Sequence, residues 1–309
     1  LTRIEKIEGQ AVRPVIFGEV LLDHFPDGQS VLGGAPFNLS WNLRHLGLDP
    51  LFVGGVGRDR WGLEVAEQMR TAGLDRSGLQ WIDSHPTGQV RVDLVDGEPH
   101  YSILPDQAYD HLVSETVRAV LPQEPWLLYH GTLALRSESN SRLCRELEHM
   151  AQARFVDVNL RVPWYRVDQV LDWIRQADHV KLNRQELQEL SGTTDERDAV
   201  RRLFASADIR SLILVTAGSK GASIYSVDGG VWSEPVPRAG ALVDAVGAGD
   251  AFASMSILGI LRGWSPPEML HHALDFAARV CTIRGATTTD SRFYEESVAR
   301  VLATSSSAI

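Results

Sequence analysis

The chain has 309 residues, enough for about two units of roughly 150 residues or for one large α/β domain. Its 30 Lys and Arg against 40 Asp and Glu give a net charge of −10 at pH 7, which excludes the extended basic surface of a nucleic-acid binder and points to small-molecule or protein partners. A hydrophobic fraction of 44% excludes disorder, and only two cysteines, Cys144 and Cys281, exclude a disulfide scaffold and suit a reducing cytoplasm.

The opening residues Leu1 to Lys6 alternate charged and apolar side chains, unlike a signal peptide. Short apolar runs then recur: Val15-Ile16-Phe17, Leu51-Phe52-Val53, Leu127-Leu128-Tyr129, Phe155 to Val158 and Leu212 to Val215. Each ends at a loop and reads as a buried strand. Between them lie amphipathic helical patterns over 37–46, 62–72, 139–152, 167–177, 183–191 and 195–205. Trp41 and Trp61 fall in two of these patterns and are expected in the core. Strand and helix in alternation predict a doubly wound, mostly parallel sheet with helices on both faces, an α/β fold of three layers. Ligands in such folds bind beyond the carboxyl ends of the strands.

One stretch departs from this pattern. Gln89 to Val95 and His100 to Leu104 alternate with period 2 around Asp96-Gly97, which predicts a hairpin. With residues 22–30 it is expected to form a small antiparallel flap, a β lid over 22–30 and 86–105 that belongs to a single domain spanning 1–309. Its open strand edges also suggest a homodimer through the lid. The apolar run Ala251 to Leu261 is shorter than the roughly 18 residues a membrane span needs, so no membrane partner is expected. The small polar tail from Thr304 is expected to lie outside the fold.

The strongest local signal is Asp244-Ala245-Val246-Gly247-Ala248-Gly249-Asp250, followed at once by that apolar helix. Two glycines let several N–H groups at the helix start converge on one anion. A carboxylate beside such a hole would repel a phosphate, but it suits a base that takes the proton from an attacking hydroxyl. The competing reading of Asp250 is a helix N-cap. There is no Gly-x-x-x-x-Gly-Lys-Ser/Thr, no third glycine of a dinucleotide fingerprint and no protein-kinase catalytic loop around Arg58-Asp59.

Several separated segments resemble the PfkB (ribokinase-like) family of carbohydrate kinases. They are Gly33-Gly34-Ala35-Pro36-Phe37-Asn38, Gly54-Gly55-Val56-Gly57-Arg58-Asp59, Asn183-Arg184-Gln185-Glu186, Thr216 to Gly221, and Asp244 to Asp250. Ala35-Pro36 after the paired glycines, and Asp157-Val158-Asn159-Leu160-Arg161 with Trp164, resemble the fructokinase-like subgroup rather than ribokinases.

The resemblance implies a ribokinase-like fold and an ATP-dependent sugar kinase that phosphorylates a hydroxyl of a free sugar, fructose first. Asp250 would be the catalytic base, with the Gly247, Ala248 and Gly249 amides as anion hole. Asp23, Gly34 and Asn38 would meet the sugar. Arg161 would meet substrate, a keto acid's carboxylate or nucleotide phosphate, unless it forms a salt bridge at a strand end. Asn183, Glu186, Thr216, Gly218 and Gly221 would serve ATP, with Glu186 holding Mg2+ through water. Asp244 would face a potassium ion, an implication weakened because Ala245 replaces the family's common threonine. The Ala277, Cys281 and Gly285-Ala286-Thr287 stretch would pass the adenine. A 2-keto-3-deoxygluconate kinase or another sugar or nucleoside kinase is the alternative. A non-catalytic sugar-binding regulator on the same fold is the alternative of a different class, and retention of Asp250 and of Asn183 with Glu186 speaks against it.

Overall fold

The computed structural model describes residues 12–95, 98–238 and 240–305. From the start run β1 (Arg13–Phe17), β2 (Leu21–His24), β3 (Ser30–Gly33), α1 (Ala35–His45), β4 (Leu51–Gly57), α2 (Arg60–Ala72), β5 (Leu79–Ile82), β6 (Gly88–Val95) and β7 (Glu98–Ile103). The middle contains α3 (Ser114–Val120), β8 (Trp126–His130), α4 (Glu138–Met150), β9 (Ala153–Asp157), α5 (Val167–Trp173), β10 (His179–Asn183), α6 (Arg184–Ser191) and α7 (Glu196–Ala207). The last third adds β11 (Leu212–Thr216), β12 (Ala222–Ser226), β13 (Val231–Glu234), α8 (Ala248–Arg262), α9 (Pro266–Val280) and α10 (Ser291–Ser305).

Nine strands form one sheet in the order β13-β12-β11-β10-β9-β8-β1-β4-β5. All neighbours pair in parallel except β11 with β12 and β12 with β13. Because successive side chains point to opposite faces, each apolar run feeds two cores. Ile16, Leu212 and Leu214 pack with α1, α2, α8, α9 and α10, whereas Val15, Phe17, Ile213 and Val215 pack with α3 to α7. Helices on both faces explain why the strands read as continuous apolar runs. Helix α8 packs against both α1 and α9, so Ala251 to Ile260 are all buried and the helix is apolar all round.

A second sheet has the order β3-β2-β6-β7 and takes in residues from both expected lid segments. It is not wholly antiparallel as expected, because β2 pairs with β6 in parallel. Both strands leave the large sheet shortly after parallel strands, β1 and β5, and so set out in the same direction. Residues 25–29 are a turn rather than strand, and β3 was not anticipated. The Asp96-Gly97 turn lies outside the described residues, although Val95 pairs with Glu98 on either side of it. Trp41 is core, but Trp61 is only half-buried and packs on His24 of the second sheet with ring centroids 5.2 Å apart. Residues 1–6 and 306–309 lie outside the described residues, and Thr304 and Ser305 belong to α10 rather than to a tail. No helix among the described residues is long and apolar enough to cross a membrane.

Candidate active site

The carboxyl ends of the parallel strands carry Asp157 on β9, Asn183 on β10 and Thr216 on β11, the last two opposite each other in register. The start of α8 is a further element of the site. Gly247 occupies its N-cap with φ 79°, and no side chain caps the first turn. A Cβ on Gly247 would lie 2.3 Å from the Ala286 Cβ. Only glycine therefore lets the Asp244 to Gly249 loop seat against the 285–287 stretch. Val243 and Asp244 N–H groups donate to the Cys281 carbonyl (2.9 and 3.2 Å), which ties the same loop to the end of α9.

Asp250 is the third residue of α8 and is not its cap. Its Oδ2 accepts from Asn38 Nδ2 at 2.8 Å, and Asn38 lies one turn inside α1 rather than capping it. Burial raises the Asp250 carboxyl to about 6, against the lowering effects of the Asn38 hydrogen bond, Lys181 and Arg161. Such a group is ionised at neutral pH yet basic enough to take up a proton.

Two neighbours were not singled out from the sequence. Lys181 Nζ lies 2.9 and 3.0 Å from the two oxygens of the fully buried Asp157. The same ammonium is 3.1 Å from where a Cβ on Gly249 would stand, so it lies directly under the helix start. Burial alone would push Lys181 down, but Asp157, Glu186 and Asp250 outweigh this and keep it a cation. Glu19, between β1 and β2, is also buried, with Oε2 lacking a hydrogen-bond partner and its carboxyl raised by burial to about 7. Neither residue has a local signal, since each is placed by chain segments far away in sequence.

On the second sheet, Asp23 is half-buried and burial raises it to about 6. No hydrogen-bond donor reaches its carboxylate among the described residues, which leaves both oxygens open to hydroxyl groups. Gly34 has φ 104°, and a Cβ there would lie 2.7 Å from the Glu19 carbonyl oxygen. That backbone contact accounts for the glycine without a ligand. Arg161 is exposed, and its Nη1 donates to its neighbour's carbonyl, that of Leu160, at 3.1 Å. It forms no salt bridge among the described residues, so the strand-end ion pair is not what holds it. It is close enough to lower the carboxyls of Glu19, Asp23 and Asp250.

Asn183 and Glu186 form a capping box on α6. Asn183 Oδ1 accepts from the Glu186 N–H (3.0 Å) and Glu186 Oε2 from the Asn183 N–H (2.7 Å). Glu186 Oε1 also accepts from the Leu160 N–H at 2.9 Å. With both oxygens committed and the group buried, Glu186 fits a hydrated Mg2+ held through water better than direct coordination. Gly218 (φ 55°) and Gly221 shape the turn after Thr216, and a Cβ on Gly221 would lie 2.0 Å from the Glu234 carbonyl. Asp244 accepts from the Val246 and Gly285 N–H groups at 3.0 Å each. This carboxylate thus has a loop-closing role of its own, and its remaining lone pairs fit an oxygen-coordinated monovalent cation.

The Asn38 contact yields a pH test. In Asn38→Ala the carboxylate loses its one hydrogen bond, so the acidic limb of the kcat/KM profile moves above the wild-type value of about 6. An unmoved limb with only KM altered would assign Asn38 to substrate alone.

The fructokinase-1 of Oryza sativa subsp. japonica is 30% identical over 297 residues, covering 87% of this chain and 90% of that protein. The Klebsiella pneumoniae fructokinase is 29% identical over 88% of this chain and 94% of its own. A crystal structure of a double mutant of the Vibrio cholerae O395 fructokinase, with fructose, ADP and a potassium ion bound, superposes with a TM-score of 0.78 at 25% identity over 92% of this chain and 98% of that one. The profile of the pfkB family carbohydrate kinases matches residues 9–292. The chain therefore belongs to the pfkB family of carbohydrate kinases and is a phosphotransferase acting on sugar.

Proposed function

We propose that the protein transfers the γ-phosphoryl group of ATP to a hydroxyl of free fructose. The observation that carries this reading is the pairing of Asp250, with its raised carboxyl, with the uncapped start of α8 above the Lys181 ammonium. In this mechanism Asp23, Gly34 and Asn38 hold the sugar so that one hydroxyl faces Asp250. Asp250 takes the hydroxyl proton as the oxygen attacks in line, and the Gly247, Ala248 and Gly249 amides stabilise charge on the moving phosphoryl group. Thr216, Gly218 and Gly221 border the nucleotide. Mg2+, when bound, would neutralise phosphate charge, with Glu186 and Asn183 holding its water shell. A potassium ion beside Asp244 belongs to the same reading, and the Vibrio cholerae relative carries one.

We read the second sheet as a lid that keeps water from the reacting phosphate, part of one kinase domain spanning the chain. Its edge strands β3 and β7 lack a second neighbour within the described chain, and pairing across two copies would cover them in a homodimer. Both cysteines are free, in keeping with a cytoplasmic setting.

The unpaired guanidinium of Arg161 favours one alternative, a 2-keto-3-deoxygluconate kinase, because it could pair with an acid substrate's carboxylate. Coupled ADP-release assays over fructose, ribose, 2-keto-3-deoxygluconate, adenosine and fructose 6-phosphate decide between them. Fructose should give the largest kcat/KM. A preference for the keto acid that collapses in Arg161→Ala would transfer the assignment, and ATP turnover with none of these sugars would remove it.

A further inference from the structure

The end of β8 and the face of α4 bring together three metal-binding side chains that the kinase reading does not use. His130 is fully buried, Cys144 is 1% exposed, and the Glu148 side chain is 12% exposed. Cys144 and Glu148 are four residues apart and share one face of α4. Ligand atoms from the three residues lie within 4.8 Å of one another. His130 Nδ1 is 2.9 Å from the Gly131 carbonyl oxygen, which can only accept, so Nδ1 carries a proton. A histidine that ligates a metal is commonly oriented by such a bond. The other ring nitrogen, Nε2, is buried, makes no well-aligned hydrogen bond and faces Cys144 and Glu148, with Glu148 Oε1 at 3.3 Å.

We propose that His130 Nε2, Cys144 Sγ and Glu148 Oε1 form a site for a zinc-type divalent cation. A mixed nitrogen, sulfur and oxygen set of this kind suits zinc, and bonds of about 2.0–2.3 Å to a tetrahedral ion put ligand atoms about 3.4–3.6 Å apart. His130 Nε2 and Glu148 Oε1, 3.3 Å apart, already stand at about that spacing, and the Cys144 sulfur lies within 4.8 Å of both. Arg154 Nη1 lies 3.9 Å from the other carboxylate oxygen, Glu148 Oε2, and steadies the carboxylate while leaving Oε1 turned to His130. On binding, the Cys144 thiol releases its proton to solvent as the metal–sulfur bond forms, and Nε2 gives its lone pair, after losing any proton it holds. Thiolate and carboxylate then balance the cation's two charges. Bound metal would staple the end of β8 to α4.

Cadmium titration of metal-stripped protein tests this, read by the ultraviolet thiolate-to-cadmium charge-transfer band. The band should saturate at about one equivalent per chain and be displaced by Zn2+. It should persist in Cys281→Ser and vanish in Cys144→Ser. Glu148→Gln, which keeps the thiol, should bind at least about tenfold more weakly and decides the matter if Cys144→Ser does not fold. No band in wild type, a band kept in Cys144→Ser or lost in Cys281→Ser, or unchanged affinity in Glu148→Gln would overturn the site.

Discussion

Replacing Asp250 by asparagine lowers kcat by about 10²–10⁴, the usual contribution of a positioned base. Asparagine keeps the shape and can still pair with Asn38, so sugar affinity and the far-ultraviolet circular dichroism spectrum should hold. Stability supplies a second readout. The folded Asp250 carboxyl sits at about 6 against an ordinary value of 3.8. Its protonation therefore adds stability below about pH 4, and that contribution is lost as pH rises through about 6. The substituted amide does not titrate. The stability of the variant relative to wild type should therefore increase between about pH 4 and 6 and level off above about 7. Wild-type turnover in the variant would end the base assignment, whereas a constant stability difference at all pH values would end the titration assignment alone.

Lys181→Met should be the most damaging change to the fold itself. Removing the cation leaves Asp157 fully buried without its hydrogen-bonded charge partner, with only the weaker effects of Arg161 and Tyr129 remaining, and breaking a buried pair on one side costs about 3–5 kcal/mol. The denaturation midpoint in urea should fall accordingly. Asp157→Leu combined with Lys181→Met should recover most of that loss, because a well-packed apolar pair of similar size is often as stable as the ion pair it replaces. Activity should not return with stability. The ammonium sits under the Gly249 backbone, where it supports negative charge held at the start of α8. A single variant as stable as wild type would contradict the structural account. Wild-type turnover in the double variant would show that the cation has no part beyond folding.

The sites differ in how legible they were in the sequence. The glycine-rich start of α8 with Asp250 in its first turn was legible because a helix start is built from consecutive residues. Asn183 and Glu186 were legible as a pair for the same reason, and the structure shows their spacing forming the capping box of α6. Gly34 stands out in the sequence, and the structure shows a backbone reason for glycine there, the Glu19 carbonyl oxygen 2.7 Å from where a Cβ would stand. Lys181 and Glu19 were passed over because their partners lie elsewhere in the chain. A lysine in a short strand carries no signal of its own until Asp157, 24 residues earlier, is placed against it.

By itself the sequence determined what depends on neighbours along the chain. Period-2 and period-3.6 patterns set the strands and helices, glycine and asparagine set their ends, and continuous apolar strands required cover on both faces. Only the tertiary structure decided the parallel pairing of β2 with β6, the burial of the Lys181 and Asp157 pair, the open carboxylate of Asp23, and the joining of His130 to Cys144 and Glu148. These depend on desolvation and on distances of a few ångströms between segments far apart in the chain, which no local pattern encodes.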